Sequence, residues 1–419
     1  MLTRRSHPTR RPARRGVALA KVLMCLFVLF AVVALNLDGG RMMDERGRAQ
    51  AAADAAALAA GAELYSAWWK NHGTDPGGTA RAAAEEVAAA NGYPAGAVTV
   101  NIPPTSGTYA GKAGHVEVRI ATTLDASFGR AFTGSGLDVG ARSVARGEPL
   151  NIGIILLRPN GAAAFNNSAL VFGLVNKPLI VNSSDSQALR STGLTLTALG
   201  RVDVTGGKQI SSLLVLSGKV RTGVRPTLDP LARLPVPTSS TVRSATPLTV
   251  NTIIPTILQP GVYKGGIRLT GPSVVVMNPG VYIMEGGGFR VDGLATVAGL
   301  GVMVYNSTSA TYPPGPIRVE GAGKAVLTAP LSGTYQGINF FQHRAMTDPV
   351  TVTGLGLTTL TGVVYAAKAP VNLTGTAAVG LDILGGAYVA ESMTVTGVGA
   401  VTVDLGLNRP RIPDVRVVE

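Results

Sequence analysis

Residues 350–354 read VTVTG, 371–375 VNLTG and 393–397 MTVTG. One pattern recurs: apolar, polar, apolar, a hydroxyl or acid, then glycine. It also stands at 267–271 (IRLTG), 289–293 (FRVDG) and 317–321 (IRVEG), with an earlier copy at 202–206 (VDVTG). The last six copies are 22, 28, 33, 21 and 22 residues apart, and the first gap, 65, is close to three such units. Each copy is a half-buried strand of period two that ends in a glycine turn. A single such strand cannot cover its inner side, whereas stacked copies cover one another. A spacing near 22 residues suits one rung of a right-handed parallel β-helix. With rungs about 4.8 Å apart, roughly ten to twelve would make a rod of about 50 Å. A second unit runs in phase: PGVY at 260–263 and 279–282, echoed by GVVY at 362–365 and GAY at 386–388. The longer gaps mark insertions at 306–315 and 342–349. A proline-rich excursion at 225–237 (RPTLDPLARLPVP) divides earlier coils from later ones. The alternative is a β-sandwich with turns every ~8–12 residues. Recurrence of one motif in one order at coil spacing favours the β-helix.

The chain of 419 residues is 46% apolar, with only 15% charged and 5% aromatic residues and 53 glycines. That composition argues against a charged disordered chain and for many tight turns. The single cysteine, Cys25, excludes an intrachain disulfide and a cysteine metal cluster. His7, His72, His115 and His343 show no metal-ligand spacing, so no metal or cofactor is expected. His115 reads as a strand residue on a solvated face. The formal net charge is +13, and Arg4, Arg5, Arg10, Arg11, Arg14 and Arg15 crowd the first fifteen residues. With no nucleic-acid motif and few aromatics for stacking, this tail reads as a membrane-topology signal; nucleic acid is not an expected partner.

The tail precedes a run of 21 residues, Val17–Leu37, interrupted only by Lys21 and Asn36. About 20 apolar residues span a bilayer core. Lys21 lies near the start, where its ammonium can reach the headgroups. The arginine bias puts the N-terminus in the cytoplasm and the rest of the chain outside. A cleaved signal peptide is the competing reading, but the run is long for one and no small-x-small site follows it. Beyond the run, residues 46–70 (RGRAQAAADAAALAAGAELYSAWWK) read as a continuing Ala-rich helix without proline. Its small side chains would let another helix approach closely, either as filler or as a partner-binding stalk.

These residues carry a resemblance. Arg14-Arg15-Gly16, the apolar span, LDGGR at 37–41 and QAAADAAALAAGA at 50–62 resemble the N-terminal module of TadG-like pilus-assembly proteins of the tight-adherence (Flp pilus) machinery. The likeness covers about residues 14–64. It implies a single-pass membrane protein associated with pilus assembly or surface attachment, and no catalysis. Arg15-Gly16 also looks like a prepilin cleavage site, but Lys21 stands where pilins carry glutamate, against a processed filament subunit.

Residues 79–91 read as a helix, 98–102 and 115–122 as strands, 125–132 as a short helix and 137–146 as a strand, a small α+β layer. The fold class expected is therefore an α+β membrane-anchored module followed by an all-β helix. Its parts are a basic tail 1–16, a transmembrane helix 17–37, a helical stalk 38–75, an α+β segment 76–148, a β-helix 149–410 and a tail 411–419.

Chemistry is sparse in the β-rich body. Asp292 and Glu320 occupy equivalent motif positions and are the best candidates for a carboxylate pair, yet they read first as solvated outward residues. Arg268, Arg290 and Arg318 repeat at one position and could line a basic stripe that binds an anionic glycan or simply aids solubility. His343 and Arg344 offer a base and a cation without a nucleophile. No catalytic residue is assigned. The expected function is a non-enzymatic pilus-assembly or surface protein in the cytoplasmic membrane. Its expected partners are lipid, pilus or secretion proteins met through the Ala-rich stalk, and a surface glycan. The rivals are a glycan-binding adhesin and a tethered polysaccharide-active enzyme.

Overall fold

The structure is a computed structural model of the chain. It describes residues 15–419 apart from 126–135, 175–176, 199, 212–213, 218–219, 321, 355–357, 377–380, 385, 399 and 404–408. Two compact units emerge: residues 1–148 with 413–419, and residues 149–412.

The first unit is built on α1 (Arg15–Ser66) and α2 (Thr79–Ala90), with strands β1 (Val98–Asn101), β2 (His115–Leu124), β3 (Leu137–Pro149) and β4 (Pro413–Val417) in the sheet order β1-β2-β3-β4. The short helix expected at 125–132 falls almost wholly outside the described residues. Residues 413–417, read in the sequence as tail, form an edge strand of this sheet. The alanines of α1 do what their size allows. Ala49, Ala52, Ala53, Ala56, Ala57 and Ala60 are buried in one cluster with Ala80, Ala84 and Ala88 of α2. Spacing of three to four residues puts each set on one helix face, and methyl-sized side chains let the axes close up. At Gly61 the helix also meets β3: a Cβ on Gly147 would lie 2.0 Å from the Gly61 carbonyl oxygen. Of the two uses foreseen for the alanines, close approach of another helix is realised on this face by the chain's own α2.

The second unit is a parallel β-solenoid of about ten turns. Each coil contributes a strand to each of three flanks. Flank I runs through Gly261–Lys264, Gly280–Glu285, Val302–Ser307 and Ile338–Gln342. Flank II runs through Ile267–Leu269, Phe289–Val291, Ile317–Val319 and Val350–Gly354. Flank III runs through Thr256–Leu258, Val274–Met277, Thr296–Gly299 and Ala325–Thr328. The strands Val363–Gly375 and Ala387–Gly397 each bend round one corner and serve flanks I and II. Inward residues alternate with outward ones, so Tyr282, Phe289, Ile317, Phe340, Val371 and Met393 fill a continuous core. Both insertions, around 306–315 and 342–349, are loops between flanks I and II.

Coil order departs from chain order. Ala387–Gly397 pairs onward with Ile154–Leu156 and Phe165–Asn167, so the early coils stack upon the last one. The sequence-last coil is therefore interior, and the coil beginning at Val242 ends the stack. The proline-rich excursion is the connection this demands. The whole connection, from Thr222 to Val242, must travel ten coil spacings, or about 48 Å; its nineteen intervening residues in an extended proline-type conformation reach about 59 Å. As a strap, it lies along flank I. Thr227 exchanges hydrogen bonds with Asn182 (2.8 and 2.9 Å), and Tyr335 Oη donates to Pro235 O at 3.2 Å. Leu231 is buried against an outward row that includes Ile283, Tyr305, Phe341, Tyr365, Val389 and Ile180. That row turns charged at Asp203 and Arg221 (2.7 Å), where the strap begins.

Two motif assignments are corrected. The copy at 202–206 lies on flank I, paired with Leu179–Val181, and not with the other six on flank II. The 65-residue gap thus holds the strap and the terminal coil, not three units in register. Among the tyrosine units, Tyr388 aligns with Val364 and points inward, whereas Tyr365 points outward. Its tyrosine is one residue nearer the glycine, and one residue of slip exchanges the faces of a strand.

Candidate functional site

The outward side of flank II collects the residues singled out for chemistry. Ile267, Phe289 and Ile317 point into the core, so Arg268, Arg290 and Arg318 emerge on successive coils in direct register. The row continues as Thr351, Asn372, Thr394, Asn166 and Arg190. Arg268 Nε donates to Asp292 Oδ2 at 3.1 Å, and Arg318 Nε to Glu320 Oε2 at 3.2 Å. Both arginines are about half exposed, so each pair contributes only ~0–1 kcal/mol and yields readily to water or to another anion. Arg290 keeps its Nε buried without an acceptor. The structure therefore brings Asp292 and Glu320 to equivalent places on adjacent coils and gives each an arginine. Among the described residues, no hydrogen bond joins the two carboxylates.

His343 and Arg344 follow the flank I strand Ile338–Gln342, and Arg344 holds the strap. Arg344 donates to the carbonyls of Leu231 (2.8 Å) and Leu234 (2.7 Å) and to Tyr365 Oη (2.9 Å). Its guanidinium lies 5.2 Å from the Phe341 ring centroid and 5.4 Å from that of Tyr365. Tyr365 Oη donates in turn to Asp229 Oδ2 at 2.7 Å. Burial, then the bond to Asp229, push the Tyr365 hydroxyl far above its ordinary value, and burial raises Tyr305 to about 12. Of the pair read as base and cation, Arg344 is a clamp, while the His343 imidazole Nδ1 accepts from the Ala345 amide at 3.2 Å within its own turn.

In the first unit the sequence reading missed a buried ionic knot. Glu117 is fully covered and accepts hydrogen bonds from Arg142 Nε (2.6 Å), Asn101 (2.9 Å), Ser106 (2.8 Å) and Thr105 (2.8 Å). Burial alone would raise its pKa; the arginine and these donors outweigh it and hold the carboxyl far below the usual range. Arg142 also pairs with Glu419 at 3.1 Å, tying down the last residue. His115, expected at a solvated face, is buried. It stacks on Tyr109 (centroids 4.6 Å) and accepts at Nε2 from Arg146 at 3.3 Å, while Nδ1 faces Ala113 O at 3.1 Å. Burial first, then Arg146, lower its pKa, so the ring is neutral. An acid or histidine at a strand start carries no sequence signal that the other face is also covered.

The remaining functional element is the first half of α1. Apart from Lys21, its side chains from Leu19 to Val33 are exposed and apolar, and the helix is long and apolar enough to cross a membrane. Among the described residues, no group of three or more His, Cys, Asp or Glu could hold a metal ion. Against known families, the Tad family, described as Flp pilus-assembly TadE/G-like, matches residues 16–63. No significant match was found among curated proteins or solved structures. The matched stretch comprises the exposed apolar half of α1 and the alanine face that seats α2.

Proposed function

We propose that the TadE/TadG-like domain at residues 16–63 makes this chain a structural component of pilus assembly. The first half of α1 anchors it in a cytoplasmic membrane with residues 1–16 inside, and the solenoid stands outside the cytoplasm without catalysing a reaction. The observation that carries this reading is the coincidence of the family match with a helix that is apolar and bare in one half and packed in the other. Six arginines on the N-terminal side support the orientation. The non-enzymatic reading is supported by the separate pairing of Asp292 and Glu320 with different arginines and by the use of Arg344 to hold the strap.

The test is genetic and topological. Cells lacking the chain should lose pili and recover them with the full chain, but not when residues 16–63 are replaced by an unrelated single-pass anchor. External protease should reach the solenoid in spheroplasts. Normal piliation without the chain, or a solenoid protected from protease, would overturn the reading. So would release of reducing sugar from an acidic polysaccharide that D292N/E320Q abolishes.

A second reading, a glycan-binding surface protein, is favoured by the in-register Arg268–Arg290–Arg318 row. A glycan array probed with the full chain should then show binding to carboxylated polymers that R290A weakens.

A further inference from the structure

The three flanks are finished differently. Flank I is covered by the strap, and flank II is polar. On flank III the outward row of the first four coils reads Ile257, Val276, Ala298 and Val326, each the direct partner of the next. Ile257 is 62% exposed and Val276 41%. Val274 stands beside this row, and Ile253 and Ile254, at the corner leading into it, are exposed by 74% and 70%. Leu300 and Leu331 continue the apolar surface into an open groove of about 720 Å³ with Pro279, Val281 and Tyr335.

We propose that this bare flank is where two copies of the chain pair, flank III against flank III about a twofold axis. The first reason is area. Seven large apolar side chains this exposed offer on the order of 700 Å², more than a lone soluble surface usually leaves open and close to one partner's share of a standard interface. The second is charge. The chain carries a formal net charge of +13, so two copies repel over most of their surface. A twofold contact sets a patch against itself, and this row holds no charged residue, so nothing within it opposes pairing. The third is shape. Sheets pack face to face at about 10 Å by interdigitating side chains. Ala298, between Val276 and Val326, leaves a shallow seat for a facing side chain. A bilayer surface would instead select tryptophan, lysine or arginine around such a patch, and the row has none. The pairing holds whichever process the chain serves.

The test uses the full chain in detergent. Analytical ultracentrifugation should show a dimer. I257E/V276E should raise its dissociation constant at least 30-fold, while T394E, on flank II, leaves it unchanged. Circular dichroism melts should show both variants folded. To avoid added charge, V276C in a Cys25→Ser background should give a disulfide-linked dimer from native membranes under copper phenanthroline, and T394C in the same background should not. A monomeric parent chain at micromolar concentration would overturn the proposal, as would a dimer that survives I257E/V276E, equal cross-linking at positions 276 and 394, or a monomer whose solenoid binds liposomes through these residues.

Discussion

Leu231 offers a quantitative probe of the strap. Its side chain is 1% exposed and sits in the outward cluster of flank I with Phe341 and Tyr365. Truncating a buried leucine to alanine costs about 2–5 kcal/mol, depending on how far the site can collapse. A strap can settle inward, so the lower part of that range, about 3 kcal/mol, is appropriate. Arg344 and Asn182 hold the strap on either side of Leu231 by hydrogen bonds that the substitution leaves intact. The loss therefore appears as local lifting, not as collapse of the coils. Trypsin cuts after Arg233 only when the strap lifts far enough to enter its cleft, and when reclosing is fast the rate follows the open population. At 1.4 kcal/mol per factor of ten, L231A should be cut at this bond about 100-fold faster than the parent chain. The assay is a timed digestion read by intact mass. An acceleration below about fivefold, or first cleavage on flank II, would refute a strap held by its apolar seat.

Other expectations follow from particular contacts. Gly287 has φ +70° and a Cβ there would meet the Gly265 carbonyl oxygen at 1.8 Å; G287A should destabilise the solenoid by more than about 3 kcal/mol in a denaturant titration, because neither backbone can yield. Removing the buried charge of Glu117 leaves Arg142 without its closest counter-charge, so E117Q should cost the first unit about 3–5 kcal/mol, seen as a lowered first melting transition. A53L should crowd α1 against α2 and cost about 1–3 kcal/mol or separate the helices, read by hydrogen exchange in residues 79–90. His115 and Glu117 both have native pKa values below their unfolded ones, so the stability they contribute is intact at neutral pH. It declines below about pH 6.5, as the unfolded histidine takes up a proton, and again below about 4.3. H115F should remove the first decline; an unchanged profile would contradict a buried neutral ring.

The coil was legible because period-two strands ending in glycine recur at one spacing, and the six later copies do share one flank. Which coil lies on which was not legible. An apolar-polar-apolar strand can pair with any other of its kind, so the repeat encodes a rung and not its neighbours. The copy at 202–206 satisfied the string and sits on another flank for that reason. Arg225–Pro237 could be read as extended, but nothing in it names flank I. The arginine row was read correctly from its register. The clamp role of Arg344 was not, since its acceptors, the Leu231 and Leu234 carbonyls, are over a hundred residues away and are backbone atoms that sequence does not mark. His115 was misplaced because alternation describes one strand and is blind to cover on both sides.

The chain passes into the solenoid at Leu150 and leaves it at Ile412, and the amide of the first donates to the carbonyl of the second at 2.8 Å. Both connections therefore meet the stack beside the seam where coil 154–174 rests on coil 387–403, and neither is at a free end. Tension borne by the two tethers would act on that seam as a shear across paired strands, with no loose terminus from which coils could be unwound one at a time. The seam is also where Arg158 grips Glu391 through two hydrogen bonds, of 2.5 and 3.0 Å. A body hung this way should resist pulling until the junction itself parts.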